Sequence, residues 1–102
     1  MKPLNKRETA ILRVLCDAPE RGLSGYEITK LVYPRWLQWS AAIYVHLMHL
    51  ENLRLIEHRR ELVSDGTPRL PRYFYRITRK GRGLLAGLDR VAQLSELKLA
   101  HA

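Results

Sequence analysis

The hydrophobic period of this 102-residue chain changes at Leu55 and changes back at Thr78, and those changes restrict the folds open to it. Before Leu55, apolar residues recur at three- and four-residue steps, as on one face of a helix. Between Leu55 and Thr78 they alternate, as in a half-buried strand. Asn5 followed by Glu8 has the capping-box spacing, in which a side-chain oxygen and a carboxylate satisfy the free amide donors of a helix start. Behind it Ile11, Leu12 and Leu15 predict a first helix that Pro19 stops. Ser24 and Glu27 repeat the signal, and Ile28, Leu31 and Val32 predict a short second helix that cannot pass Pro34. Ser40 is placed to cap a third, with Ile43, Leu47 and Leu50 as its buried stripe.

Beyond Leu55, residues 56–64 read as one strand and Tyr73-Phe-Tyr-Arg-Ile-Thr78 as a second, aromatic and β-branched at alternate positions. Asp65-Gly66 marks a turn between them, and Pro68 and Pro71 bar regular pairing near the tip. Thr78 then caps a last helix carrying Leu84, Leu85, Leu88, Val91 and Ala92 on one side. The expected fold is α+β, mostly α. Residues 5–78 form a winged helix-turn-helix of three helices and a two-stranded wing hairpin, and residues 79–100 a C-terminal helix, all within one domain spanning 1–102.

Charge indicates the partner. Lys and Arg number 18 against 10 Asp and Glu, leaving +8, so polyanions are the expected ligands, nucleic acid before an acidic membrane surface. Most of that excess lies between Arg59 and Arg82, where Arg59, Arg60, Arg69, Arg72, Arg76, Arg79, Lys80 and Arg82 face only Glu61 and Asp65. An arginine-rich hairpin can follow a phosphate backbone or enter a minor groove, though the same charges also keep a sheet edge unpaired. Arg13 interrupts the first apolar run, which is therefore no secretion signal, and no stretch has the length of a membrane span. The single cysteine, Cys16, excludes an internal disulfide and reads as a small core residue. A cytoplasmic protein is expected.

Catalytic and metal readings find little support. No Ser/His/Asp or Cys/His constellation and no glycine-rich loop precedes a helix, and Glu27, Glu51 and Glu57 are better explained by caps and ion pairs. His46 and His49 have a spacing two metal ligands could share, but a zinc site needs three or four protein ligands, and His58 and Cys16 stand at no matching spacing. Neither enzyme activity, metal nor cofactor is expected.

On the third helix, with Ile43, Leu47 and Leu50 inward, Ala41, Val45, Met48 and Asn52 point outward, flanked by Tyr44 and His49. A helix in a major groove reads bases with its outward N-terminal residues. Ala41, Ala42 and Val45 could touch thymine methyls, Asn52 and His49 would be the polar readers, and Tyr44 has a phenol suited either to a phosphate or to packing against the hairpin. Trp36 and Trp39 either plug the corner between the second and third helices or leave one indole free to stack on a partner. Gly83 and Gly87 each weaken the last helix by about 1 kcal/mol relative to alanine, a cost that close approach of another helix would explain.

The chain resembles the PadR family of winged-helix transcriptional regulators, in its short-tailed branch. The likeness rests on Gly25-Tyr26-Glu27-Ile28, on Ile43-Tyr44, Leu47, Leu50-Glu51 and Leu55-Ile56-Glu57, and on Arg72-x-x-Tyr75-x-x-Thr78-x-x-Gly81, which together span residues 8–90. It implies a homodimer held by the last helix through Leu84, Leu85, Leu88, Val91 and Ala92. It also implies a palindromic double-stranded DNA operator, repression, and DNA contacts by Tyr44 and Arg72. Ser40, Ala41, Ala42, Val45, Met48, His49 and Arg69 complete the expected DNA-binding set. The chain departs from the family pattern at Ala41-Ala42, His46, Met48-His49 and Arg54, the last standing where glycine is usual. Two other readings stay open: a winged-helix protein-interaction module using the Ala41-Val45-Met48 face, and an effector-sensing regulator with a small aromatic ligand at the dimer interface.

Overall fold

The computed structural model describes residues 4–38, 41–61 and 72–100. Helix α1 (Lys6–Cys16) opens on the expected capping box: Asn5 Oδ1 accepts from the Glu8 amide at 2.8 Å, and Glu8 Oε1 accepts from the Asn5 amide at 3.2 Å. Helix α2 (Gly25–Val32) repeats it with Ser24 and Glu27. A 3-10 turn (Arg35–Leu37) follows Pro34, and helix α3 (Ala42–Asn52) comes next. Strands β2 (Ile56–Glu61) and β3 (Arg72–Ile77) form the antiparallel ribbon, and helix α4 (Arg79–Ala100) closes the chain. This is the winged helix-turn-helix that the sequence predicts.

Several details differ from expectation. A short strand β1 (Leu23–Ser24) pairs with β3, placing Leu23 opposite Tyr75, so the sheet has three strands in the order β1-β3-β2. Two residues are too few to show a period, and their dominant signal is the helix cap. Residue 41, an alanine without a capping side chain, holds the N-cap of α3, not Ser40. Ser40, Trp39, Arg69 and the turn at Asp65-Gly66 with Pro68 and Pro71 lie outside the described residues. Leu31, one of the apolar residues whose spacing predicts α2, is exposed, because Ile28 and Thr29 with Gly25 define the inner face. Trp36 is 78% exposed and plugs nothing.

The core gathers Ile11, Leu12 and Leu15 of α1, Ile28 of α2, and Ile43, Leu47 and Leu50 of α3. Ile56 and Ile77 face each other across the ribbon and seal its base onto this cluster. Leu85 also enters it, 6% exposed, so a side chain expected at a dimer surface is spent on the chain's own core. Arg13 and Asp89, 2.7 Å apart, pair across α1 and α4 on the surface.

One turn joins α3, the ribbon and α4. The Leu55 amide donates to the Leu50 carbonyl, and the Leu55 carbonyl accepts from the Thr78 amide, each at 3.0 Å. Thr78 Oγ1 donates to the Arg54 carbonyl at 2.8 Å and accepts from the Gly81 amide at 3.1 Å, capping α4 as expected. A Cβ at Gly81 would strike the Leu55 carbonyl, which accounts for glycine there. Arg54 itself adopts φ 61°, the left-handed region that disfavours a side chain. Gly81→Ala is therefore expected to cost about 1–3 kcal/mol in urea unfolding. By the same measurement Arg54→Gly should gain about 0.5–1 kcal/mol, since relief of left-handed strain exceeds the added chain entropy.

Candidate nucleic-acid interface

Rotation of α3 is fixed from both flanks. On the α1 side, Glu8 is almost fully buried, and its Oε2 lies 2.7 Å from His49 Nδ1 and 3.2 Å from His46 Nδ1. Burial alone would push the Glu8 carboxyl up. The hydrogen bonds from His49, His46 and the Asn5 amide outweigh it and hold the group below its ordinary value. His49, expected to read bases, is thus turned toward α1 rather than outward. On the ribbon side, His58 Nδ1 and Glu51 Oε1 are hydrogen-bonded at 2.6 Å, tying β2 to α3. The His58 ring stands between Tyr73 and Tyr75, with centroids 5.5 and 5.9 Å away. Among the described residues no group of three His, Cys, Asp or Glu is arranged to hold a metal ion.

With its flanks held, α3 presents Val45 and Met48, 68% and 65% exposed, and between them and the ribbon Tyr44, 55% exposed. Ala41 and Ala42 are also at the surface. The Tyr44 phenol reaches the first turn of α2, where a Cβ on Gly25 would come within 3.3 Å of the ring and hydroxyl. Three clefts meet at this tyrosine. One, between α3 and the ribbon, is lined by Met48, Glu51, His58, Tyr73 and Tyr75. A second, of about 580 Å³, runs from Arg21 and Ser24 to Arg72 and Tyr73. The third lies toward Tyr26, Lys30, Arg35 and Ala41.

The ribbon supplies the charge. Arg59, Arg60 and Arg72 are exposed and form no ion pair among the described residues. Arg76 instead meets Glu57 at 3.2 Å, Lys80 Nζ donates to the Leu53 carbonyl at 3.0 Å, and Arg82 reaches the Cys16 carbonyl and sulfur. Part of the basic run therefore pins the fold, while Arg59, Arg60 and Arg72 form no ion pair among the described residues. Arg21 pairs with Glu27 at 3.0 Å beneath this surface and covers the Phe74 ring. Tyr26, Tyr73, Arg21 and Arg35 join the clefts although their sequence signals pointed only to helix and strand formation.

No family model matches this sequence, and no curated protein matches it. Solved structures do. A PadR family transcription regulator from hypervirulent Clostridium difficile superposes with a TM-score of 0.71 at 21% identity, over 95% of this chain and 97% of that one. The chain has the fold of the PadR-like transcriptional regulators. Bacillus subtilis PadR, solved in complex with operator DNA, shares that PadR-like fold at 26% identity and a TM-score of 0.62, over 79% of this chain but only 45% of its own. MepR, as a mutant from a multidrug resistant S. aureus clinical isolate, reaches a TM-score of 0.75 at 19% identity, over 96% of this chain and 64% of its own.

In this PadR-like framework α4 runs on past the core. Leu84 packs partly against the core, whereas Leu88, Val91, Ala92, Leu94 and Leu97 are exposed. Nothing lies within 4 Å of where a Cβ would stand on Gly83 or Gly87. No helix of the described residues is long and apolar enough to cross a membrane.

Removing the Glu8 carboxylate leaves two partly buried imidazoles without their partner. Glu8→Ala is expected to lower stability by about 1–3 kcal/mol near neutral pH. Because the folded carboxyl titrates below the ordinary value of 4.5, that difference persists down to the ordinary value and shrinks as pH falls through the lowered one. Urea midpoints of both proteins across a pH series measure it.

Proposed function

We propose that this chain is a PadR-type transcriptional regulator: a homodimer that binds double-stranded DNA at a palindromic operator and represses transcription. The observation that carries this reading is the meeting of three clefts at Tyr44, between an exposed helix face and unpaired ribbon arginines, on a fold shared with a protein solved on its operator. The outward face of α3, with Ala41, Ala42, Val45 and Met48, enters the major groove, while the Tyr44 hydroxyl donates to a phosphate. Arg59, Arg60 and Arg72 follow the flanking backbone. Ser40 and Arg69, expected in the same set, lie outside the described residues. The exposed part of α3 is mostly apolar, so thymine methyls and duplex shape carry much of the discrimination.

Dimerisation falls to α4. Leu84, Gly87, Leu88, Val91 and Leu94 recur at three- and four-residue steps, a helical stripe that a second α4 covers, and Gly87 lets the backbones approach. Leu94 takes the place that Leu85 yields to the core. Two copies then present their α3 helices about one duplex turn, 34–36 Å, apart.

Exposed Val45 and Met48 also suit the alternative of a protein-interaction module, and one titration separates the two readings. Binding of a labelled duplex is followed by anisotropy over a range of salt concentrations. A regulator retains affinity near physiological salt, and Tyr44→Phe weakens it by about 0.5–1.5 kcal/mol, one hydrogen bond. Arg72→Ala lowers the salt slope by about one per protomer on the duplex. Affinity that vanishes near physiological salt, with a slope indifferent to Arg72, favours the interaction module. In sedimentation, Val91→Glu with Leu94→Glu should convert dimer to monomer; a dimer that survives both changes removes α4 from the interface.

A further inference from the structure

The cleft system does not end at Tyr44. Beyond it, at the N-terminal end of α3, the surface continues over the outer side of α2 to the 3-10 turn, through Tyr26, Lys30 and Arg35. Lys30 Nζ lies 4.4 Å from the centre of the exposed Tyr26 ring, a cation held over an aromatic face. Arg35 is exposed and forms no ion pair among the described residues. Beside it Trp36 leaves almost its whole indole in solvent, although a tryptophan in a short turn would ordinarily be expected to cover the corner. Among the described residues no carboxylate lines this third cleft, whereas Glu27 and Glu51 border the other two.

We propose that Lys30, Arg35 and Trp36 form a second backbone-gripping surface, which takes the sugar-phosphate chain of duplex DNA beyond the segment held by Tyr44 and the ribbon. The inference rests on the DNA-binding reading above and extends its footprint. Charge selects the occupant: two cations without a carboxylate among them, contiguous with Tyr44, fit a polyanion better than an apolar partner. The indole adds what a bare cation lacks, an N–H donor for a phosphate oxygen and a flat face for a deoxyribose. The contact carries no base information; it lengthens the site and fixes the angle at which α3 enters the groove.

Salt dependence and fluorescence test this on the full chain, with a mixed-sequence duplex long enough for two half-sites as the probe. Lys30→Ala with Arg35→Ala should lower the slope of log affinity against log salt by about two per protomer on the duplex, as should the ribbon pair Arg60→Ala with Arg72→Ala. Because Trp36 and Trp39 are the only tryptophans, Trp39→Phe leaves Trp36 as sole reporter, and its emission should change on duplex addition. A ribbon pair that lowers the slope while the Lys30/Arg35 pair does not, with Trp36 emission unmoved, overturns this inference and leaves the DNA-binding reading standing. An unaltered protein with no salt-dependent duplex binding overturns both. Loss of the dimer in Trp36→Ala, seen by sedimentation without DNA, would make this surface an interface between copies and likewise overturn the proposal.

Discussion

Helix α3, the ribbon and α4 are all anchored at one turn, residues 53–55. Its three carbonyls accept from Lys80, from the Thr78 hydroxyl and from the Thr78 amide, in chain order. The end of β3 and the start of α4 are thereby fastened to the end of α3. Leu55 is buried, so its carbonyl would cost as much as a lost hydrogen bond without the Thr78 amide, while the bonds to the Leu53 and Arg54 carbonyls are exposed and add less. Gly81 then rests directly on the Leu55 carbonyl, which sets the direction in which α4 leaves the domain. The angle between ribbon and α3, and the spacing of any two copies joined through α4, both follow from this junction.

Carboxylates complete the same logic. Glu8 caps α1 with one oxygen and holds His46 and His49 of α3 with the other, so one side chain starts a helix and orients another. Glu51 does the corresponding work toward β2 through His58. On the hairpin side Arg59, Arg60 and Arg72 are exposed and form no ion pair among the described residues, although Glu61 stands opposite Arg72 in the ribbon register. The net positive charge is therefore a local field beside Tyr44 as well as a property of the whole chain.

Much of the architecture was legible because its signals are local. Capping boxes at Asn5 and Ser24, the prolines at 19 and 34, and the alternation across 73–78 each specify an element through its own backbone chemistry. What could not be read was contact between distant segments. The two-residue strand at Leu23 exists only because Tyr75 lies opposite it. His49 sits on the outward edge of a helical wheel, yet its side chain bends to a carboxylate 41 positions away. Leu85 and Leu88 share one apolar stripe, and only the packing of α4 on the core decides that the first is buried and the second half-exposed. Arg54 stands where the family resemblance leads one to expect glycine, and the left-handed backbone found there explains that preference. Within the candidate interface, Tyr44 was legible from the resemblance and the ribbon arginines from charge. Lys30 and Arg35 were not, since only the path of the chain from α2 through the 3-10 turn brings them to one cleft.

In the proposed function two copies, joined through α4, present their α3 helices and ribbons to a single duplex. Selection from random duplexes at near-physiological salt tests it most directly. The account predicts enrichment of an inverted repeat whose half-sites lie about one helical turn apart, 34–36 Å between centres. Recovery of pools with no enriched sequence, or of an isolated half-site without its inverted partner, would contradict it.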